Sequence, residues 1–587
     1  MRPEKWPDPK PSPMKHSAEI KAVPRQFLPE DFSVTDWTSL EPYFRNLEER
    51  DISDIQKLER WMKDMSELEA VVNEDACWRQ IRMTCDTENK TLEEHFNFFH
   101  LQIQPHVQPY ADRLNKKLIG SPLVEQLDQE KYHTYLRNIR KSIELFREEN
   151  IPLQAEVAVL QQQYGQITGA MSVSINGKEY TLQQAGKFLE DPDRAVREDV
   201  YRKIQERRLA DKDKLEDLFD KLIALRNKEA ENAGFRNYRD YRFKELGRFD
   251  YGKEECYQFH DAVKTHIIPL VNRIQEEKRK KLQVPTLRPW DTEAEPAGVT
   301  PLRPFQEGKE LLGKSMDCLA QLDPFFAECI RKMNELKRLD LDSRKGKAPG
   351  GYNCPLAETG APFIFMNAAG QMHDVTTMLH EAGHAIHSFL SHPLELSGFK
   401  EYPMEIAEVA SMAMELFSME HWDVFFDNRE ELTRARQHQL ERVITIFPWI
   451  AVIDKFQHWI YENPGHTRTE RTEQWLSILE EFSGNVMDFS SLETYRANGW
   501  QRQLHLFEVP FYYIEYGIAQ LGAIGLWMQF KQDKSKALKN YCNALELGGT
   551  RTLPELYEAA GLDFNFSPGK IRELMAFVSA EMDKLQN

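Results

Sequence analysis

Among the 587 residues of this chain, one five-residue run has types and spacing suited to chemistry: His380-Glu381-Ala382-Gly383-His384. On an α-helix, residues four apart sit one turn up and about 40° around, so two such imidazoles can reach one cation. Glu381 is turned by about 100° from His380, which sets a carboxylate beside that cation, where it can take a proton from water. The flanking residues agree with a helix that hides one face. Val375, Met378, Leu379, Ala382, Ile386, Phe389 and Leu390 form an apolar arc, and Thr377, His380, Glu381, His384, His387 and Ser388 form the opposite one. His387 points away from the first pair and reads as a supporting or surface histidine. Asp374 reads as the helix N-cap, with orientation of a ligand histidine as its alternative.

A catalytic zinc takes three protein ligands and keeps a fourth position for water. Residues 403–417 begin with a proline and are apolar nearly all round, so they read as a buried helix whose polar side chains are Glu405, Glu408, Ser411 and Glu415. A buried carboxylate is costly unless paired, protonated or bound to a metal. Glu408 and Glu415 share a stripe but stand about 10 Å apart along the axis, too far to bind one ion together. Glu405 lies within a turn of Glu408, and spacing leaves either as the third ligand.

Two further segments bear on function. In residues 505–520, Pro510 can open a helix on which Tyr512, Tyr516 and Gln520 share a stripe, with Tyr513 to the side. Core packing of these tyrosines is the equal alternative. Residues 363–367 read either as an edge strand able to pair with an extended peptide or as an ordinary core strand.

The elements that must position these groups are mostly helical. Residues 54–72, 123–149 and 195–233 carry apolar side chains at three- and four-residue spacing among Glu, Lys and Arg. Strand signals are few: residues 172–182 alternate around Asn176-Gly177, a hairpin turn. Five prolines in residues 284–305 mark a connector, and Asp191-Pro192-Asp193 marks a helix start. We divide the chain into an N-terminal helical region, 1–190, and a catalytic region, 191–587.

Composition excludes several classes. A net charge of −18 argues against a nucleic-acid partner. No apolar run is long enough for a membrane span, and residues 1–21 lack the apolar centre of a secretory signal. The seven cysteines are odd in number and show no paired metal spacing, which suits a reducing compartment. The expected location is cytoplasmic.

The sequence resembles the oligopeptidase family that includes thimet oligopeptidase, neurolysin and bacterial oligoendopeptidase F, and is most similar to the last branch. The resemblance rests on Pro349-Gly350-Gly351-Tyr352, on Pro362-Phe363-Ile364-Phe365-Met366-Asn367, and on Asp374-Val375 leading into His380-Glu381-Ala382-Gly383-His384-Ala385-Ile386-His387-Ser388. It continues in Ala407-Glu408-Val409-Ala410-Ser411, 24 residues after His384. It is dense over 345–415, returns near Phe511 and is looser over 182–248. The resemblance implies Glu408 rather than Glu405 as third ligand, one Zn2+ per chain, and Tyr516, Tyr512 and His505 above the metal, the tyrosines donating to an oxyanion. One extra residue separates His505 from Phe511, and Glu508-Val509-Pro510 replaces the glycine-rich loop of the thimet branch. The implied fold is mainly α: a large multi-helix body enclosing a deep substrate channel, with a small β-sheet beside the zinc helix.

The expected activity is a zinc-dependent endopeptidase that hydrolyses short unstructured oligopeptides through zinc-bound water, with Glu381 as general base. The alternatives are a zinc carboxypeptidase or dipeptidase on the same scaffold and a non-catalytic peptide-binding protein. The second is disfavoured by an intact Glu381. Oligomeric state, side-chain preference and physiological substrates leave no signal in the sequence.

Overall fold

The computed structural model describes residues 16–20 and 24–586, so most of the segment read for a secretory signal lies outside the described residues. The amphipathic stretches fold as helices, several of them started by a side chain that caps free backbone amides. The stretch expected over 54–72 runs on as Ile55–Cys85, because Ile81 and Met83 continue its buried face. The stretch over 195–233 is two helices, Arg194–Leu209 and Lys212–Asn232, divided at Asp211, whose carboxylate is held by Arg207 and Lys214. The stretch over 123–149 resolves into a 3-10 turn, Pro122–Gln126, and a helix, Gln129–Leu145, capped by Asp128. Asp193 caps the helix that follows Pro192. The proline-rich connector is ordered around buried Asp291, which pairs with Arg194 at 2.7 Å and Arg197 at 3.0 Å.

Two small sheets interrupt the helices. Strands β1 (Ser172–Ile175) and β2 (Lys178–Thr181) form an antiparallel hairpin turned by Asn176 and Gly177, both at positive φ. Strands β3 (Leu339–Asp342), β4 (Tyr352–Cys354) and β5 (Phe363–Ala368) form a second sheet in the order β3-β5-β4. Strand β5 is therefore central, parallel to β3 and antiparallel to β4. The edge-strand reading of 363–367 is corrected: four of its first five side chains are buried, and both its edges are already paired. Lys347 ties this sheet to the glycine-containing loop, its ammonium donating to the carbonyls of Asp340 and Asp342 at 3.0 Å each.

The fold is mainly α, and its centre is three helices: Met372–Ser391, Met404–Ser418 and Tyr513–Gln532. Their apolar side chains join the largest core. A second core gathers residues 28–136 and takes in Leu396 and Phe399 from the loop between the first two central helices. Ser66 Oγ fixes that loop by accepting from the Ser397 amide at 2.6 Å. Among the described residues, no helix is long and apolar enough to cross a membrane, and all seven cysteines are free.

The first two central helices touch backbone to backbone. A methyl group on Gly383 would stand 2.5 Å from the Ala410 carbonyl oxygen and 2.6 Å from Ser411 Cα. The glycine is there for the close approach and not for its own backbone angles. Gly383→Ala is expected to destabilise by about 1–3 kcal/mol through overpacking. Urea unfolding measures it, and an unchanged midpoint would mean the helices have room to spare.

Candidate metal centre

Close contact of those helices brings three potential ligands together. His380 Nε2 lies 3.2 Å from Glu408 Oε2, and His384 Nε2 lies 3.5 Å from the same oxygen. The donor atoms of the three residues all fall within 4.8 Å of one another. Ligands about 2.0–2.1 Å from a tetrahedral zinc stand about 3.4 Å apart, so the separations suit that ion without rearrangement. Glu405, the rival, is directed elsewhere: its carboxylate accepts from Tyr251 Oη at 2.6 Å.

Neighbouring groups hold two of the three candidate ligands in place. His380 Nδ1 is 2.7 Å from Glu415 Oε1, which leaves Nε2 for a metal, and Glu415 is itself held by Gln439 at 2.8 Å. Glu408 accepts from Ser411 Oγ at 2.9 Å and from Tyr512 Oη at 2.6 Å. Glu415 was legible as a stripe-mate of Glu408 two turns on, but spacing alone did not say that it would meet His380 from behind. Asp374 orients no histidine. It sits three residues into the helix, after the N-cap Gln371, and accepts the amides of Ala369, Gly370 and Gln371 at 2.8 Å each. His387 is neither a surface nor a supporting residue for the metal: it is fully buried and stacked on Tyr402, with ring centroids 3.6 Å apart.

Electrostatics follow from burial and these pairs. Burial works against charge on His380, but hydrogen bonds to Glu408 and Glu415 outweigh it and hold the imidazole well above its ordinary range. Burial pushes Glu408 up, yet His384 and His380 draw it well below the usual carboxylate range. Glu381 is raised, chiefly by burial, and its Oε2 is a buried oxygen with no hydrogen-bond partner. Beside it runs Gly351, where a methyl would meet Glu381 Oε1 at an ordinary contact distance of 3.6 Å.

The tyrosine segment approaches from the third central helix. Pro510 does not open that helix; a short helix, Leu504–Glu508, ends in a turn, and the long helix begins at Tyr513 with Tyr512 as its cap. Phe511 takes φ +64° at the turn, its amide donating to Gln457 Oε1 at 2.6 Å and its carbonyl accepting from Arg248. Tyr516 Oη lies 3.1 Å from His505 Nε2, and the Gln503 amide nitrogen lies 2.7 Å from His505 Nδ1. Burial lowers His505 to about 4, so its ring is neutral, and it raises Tyr512 and Tyr516 well above the usual phenol range. A cavity of about 720 Å³ opens against His505, Tyr512, Tyr516 and the Gly350–Tyr352 stretch. Glu415→Gln is expected to weaken metal binding about 10–100-fold by loosening His380. Competition with a chromogenic chelator reads the affinity, and wild-type affinity would remove Glu415 from the site.

Comparison with known proteins gives the family. The sequence profile described as "Peptidase family M3" matches residues 187–575, and that of the "Peptidase M3 N-terminal domain" matches residues 27–146. The chain is 23% identical over 305 residues to an oligoendopeptidase F homolog of Borreliella burgdorferi, covering 50% of each chain. It is 23% identical over 333 residues to oligopeptidase PepF of Bacillus subtilis, covering 54% of this chain and 47% of the other. The chain thus spans about half the length of the curated relatives it matches. A solved structure of PZ peptidase A with an inhibitor superposes with a TM-score of 0.88 at 26% identity, over 93% of this chain and 96% of that one. With its family profile running over more than half of its length, and through the helices that carry His380, His384 and Glu408, the chain belongs to peptidase family M3.

Proposed function

We propose that this protein is a zinc-dependent endopeptidase acting on short, unstructured oligopeptides. In this reading residues 191–587 carry the chemistry, and residues 1–190 close one side of the cavity. The observation that carries it is the meeting of His380, His384 and Glu408 next to a buried Glu381 oxygen that has no partner. Peptidase M3 membership and the oligopeptidase names of the relatives point the same way.

His380, His384 and Glu408 would hold the zinc, with Glu415 fixing the first imidazole. When bound, zinc supplies a Lewis acid that brings the pKa of a water down toward neutrality. Glu381, less acidic than an exposed carboxylate because it is buried, receives the proton of the attacking water and passes it to the leaving amine. Tyr516 is the freer oxyanion donor. His505 faces the Gln503 amide through Nδ1, so its Nε2–H points at the Tyr516 oxygen and leaves the phenol proton available. Tyr512 already donates to Glu408 and acts on the ligand carboxylate first.

Strand β4 is one of the two edges of its sheet, and the glycines before it line the cavity, which suits an extended peptide lying alongside. A cavity of about 720 Å³ accepts a short peptide segment and excludes a folded domain. A second reading, a carboxypeptidase, is favoured by one observation. Arg208 and Arg502 both line the cavity, and neither forms an ion pair among the described residues. Burial lowers Arg208 to about 10, with Arg502 adding to the shift, so the pair would welcome a substrate carboxylate.

Three measurements test these readings. Glu381→Gln is expected to keep its metal while kcat falls about 10²–10⁴-fold; near-normal turnover in a metal-loaded variant would refute the base. Tyr516→Phe should lower kcat about 10²–10³-fold with little change in KM. A peptide blocked at both ends should be cut internally, whereas a carboxypeptidase would leave it whole.

A further inference from the structure

A second cluster of metal-binding side chains lies away from the cavity, and it escaped the sequence reading because its cysteine pairs with a histidine and not with another cysteine. Cys256 and His260 are four apart on the helix Lys253–Ala262, and Asp454 and His458 are four apart on the long helix Arg429–Glu462. Each pair repeats the spacing that lets one helix present two ligands to one ion. Cys256 and Asp454 are 0% exposed, and His260 and His458 are 1% exposed. The donor atoms of Cys256, Asp454 and His458 fall within 4.8 Å of one another. His260 Nε2 stands 2.8 Å from Asp454 Oδ2.

Hydrogen bonding leaves this cluster unsatisfied. Asp454 Oδ1, His260 Nδ1 and both ring nitrogens of His458 are buried without a hydrogen-bond partner. His458 Nε2 comes within 3.3 Å of Asp454 Oδ2 but without hydrogen-bond geometry. Buried polar groups are rarely left so, and Asp454 and His458, each with an unpartnered polar atom and both converging with Cys256, mark a missing common partner. We propose that Cys256, Asp454 and His458, with His260 beside them, bind a second divalent ion of the zinc class, in a structural role. On binding, the Cys256 thiol proton leaves to solvent, Asp454 enters as carboxylate and the imidazoles as neutral rings. One thiolate and one carboxylate then balance a dication, so the buried site carries no net charge. Thiolate with imidazole favours zinc over calcium or magnesium.

The position gives the site a task. The His458 ring packs on Phe511 with centroids 5.4 Å apart, and its neighbour Gln457 takes the Phe511 amide. Locking the two helices here braces the strained turn that presents Tyr512.

The test is metal content after reconstitution with Zn2+, combined with the absorption of the Co2+ form. Wild type should hold two ions per chain, and Cys256→Ser and His384→Ala should each hold one. The Co2+ form should show a thiolate charge-transfer band that persists in His384→Ala, whose remaining site contains the cysteine, and vanishes in Cys256→Ser. Should Cys256→Ser not fold, wild type and His384→Ala suffice. A single ion in wild type that disappears in His384→Ala, with no thiolate band, would overturn the second site. A single ion with the band retained in His384→Ala would instead overturn the first.

Discussion

Everything at the centre depends on placing the Glu408 carboxylate, 2% exposed, on a helix with almost no other polar surface. Such a group needs polar or ionic partners close by, and two imidazoles one turn apart on a facing helix stand within 3.5 Å of it. That demands helix axes nearer than ordinary side chains allow. Gly383 between the histidines removes the obstacle on one side, and small Ala410 and Ser411 accept the contact on the other. The third helix meets the second through a similar device, since a methyl on Gly522 would stand 2.8 Å from Val409 Cγ2. The ligand set is therefore a product of how tightly three helices can pack.

This separates what was legible in the sequence from what was not. A histidine pair at helical spacing with an apolar back is a local pattern, and the helix Met372–Ser391 follows from it. The choice between Glu405 and Glu408 is not local. Glu405 is occupied by Tyr251, and near it lies the buried pair of Arg248 and Glu515 at 2.9 Å; all three come from elements that no spacing rule connects to residues 403–417. Here only family resemblance pointed to Glu408. Similarly, the place of β5 in the middle of its sheet depends on β3, whose Leu-Asp-Leu-Asp alternation is only four residues long and is built half from aspartate, a poor strand former.

The tyrosine turn failed for a different reason. A proline ahead of an apolar run reads as a helix start, and nothing in Glu508-Val509-Pro510-Phe511 announces a positive φ at a phenylalanine. The conformation is imposed from outside. Gln457 takes the Phe511 amide, and Arg242 and Arg248 take the carbonyls of Pro510 and Phe511. Backbone strain of this kind persists only where surrounding contacts over-determine it.

Those contacts assign a role to the looser stretch of resemblance over 182–248. Arg226, 1% exposed, donates to the Leu506 carbonyl at 2.9 Å and to that of Phe507, one residue group upstream of the turn. Together with Arg242 and Arg248, it supplies donors to four carbonyls in residues 506–511 that a broken helix would leave unsatisfied. Guanidinium suits this work because it stays charged when buried and offers several planar donors at once, where a lysine offers one compact charge. Helices outside the central three thereby fix the turn from which the helix bearing Tyr516 starts. Their sequence can drift at the surface while the arginines stay tied to the turn, so a weak resemblance there is compatible with a strict geometric duty.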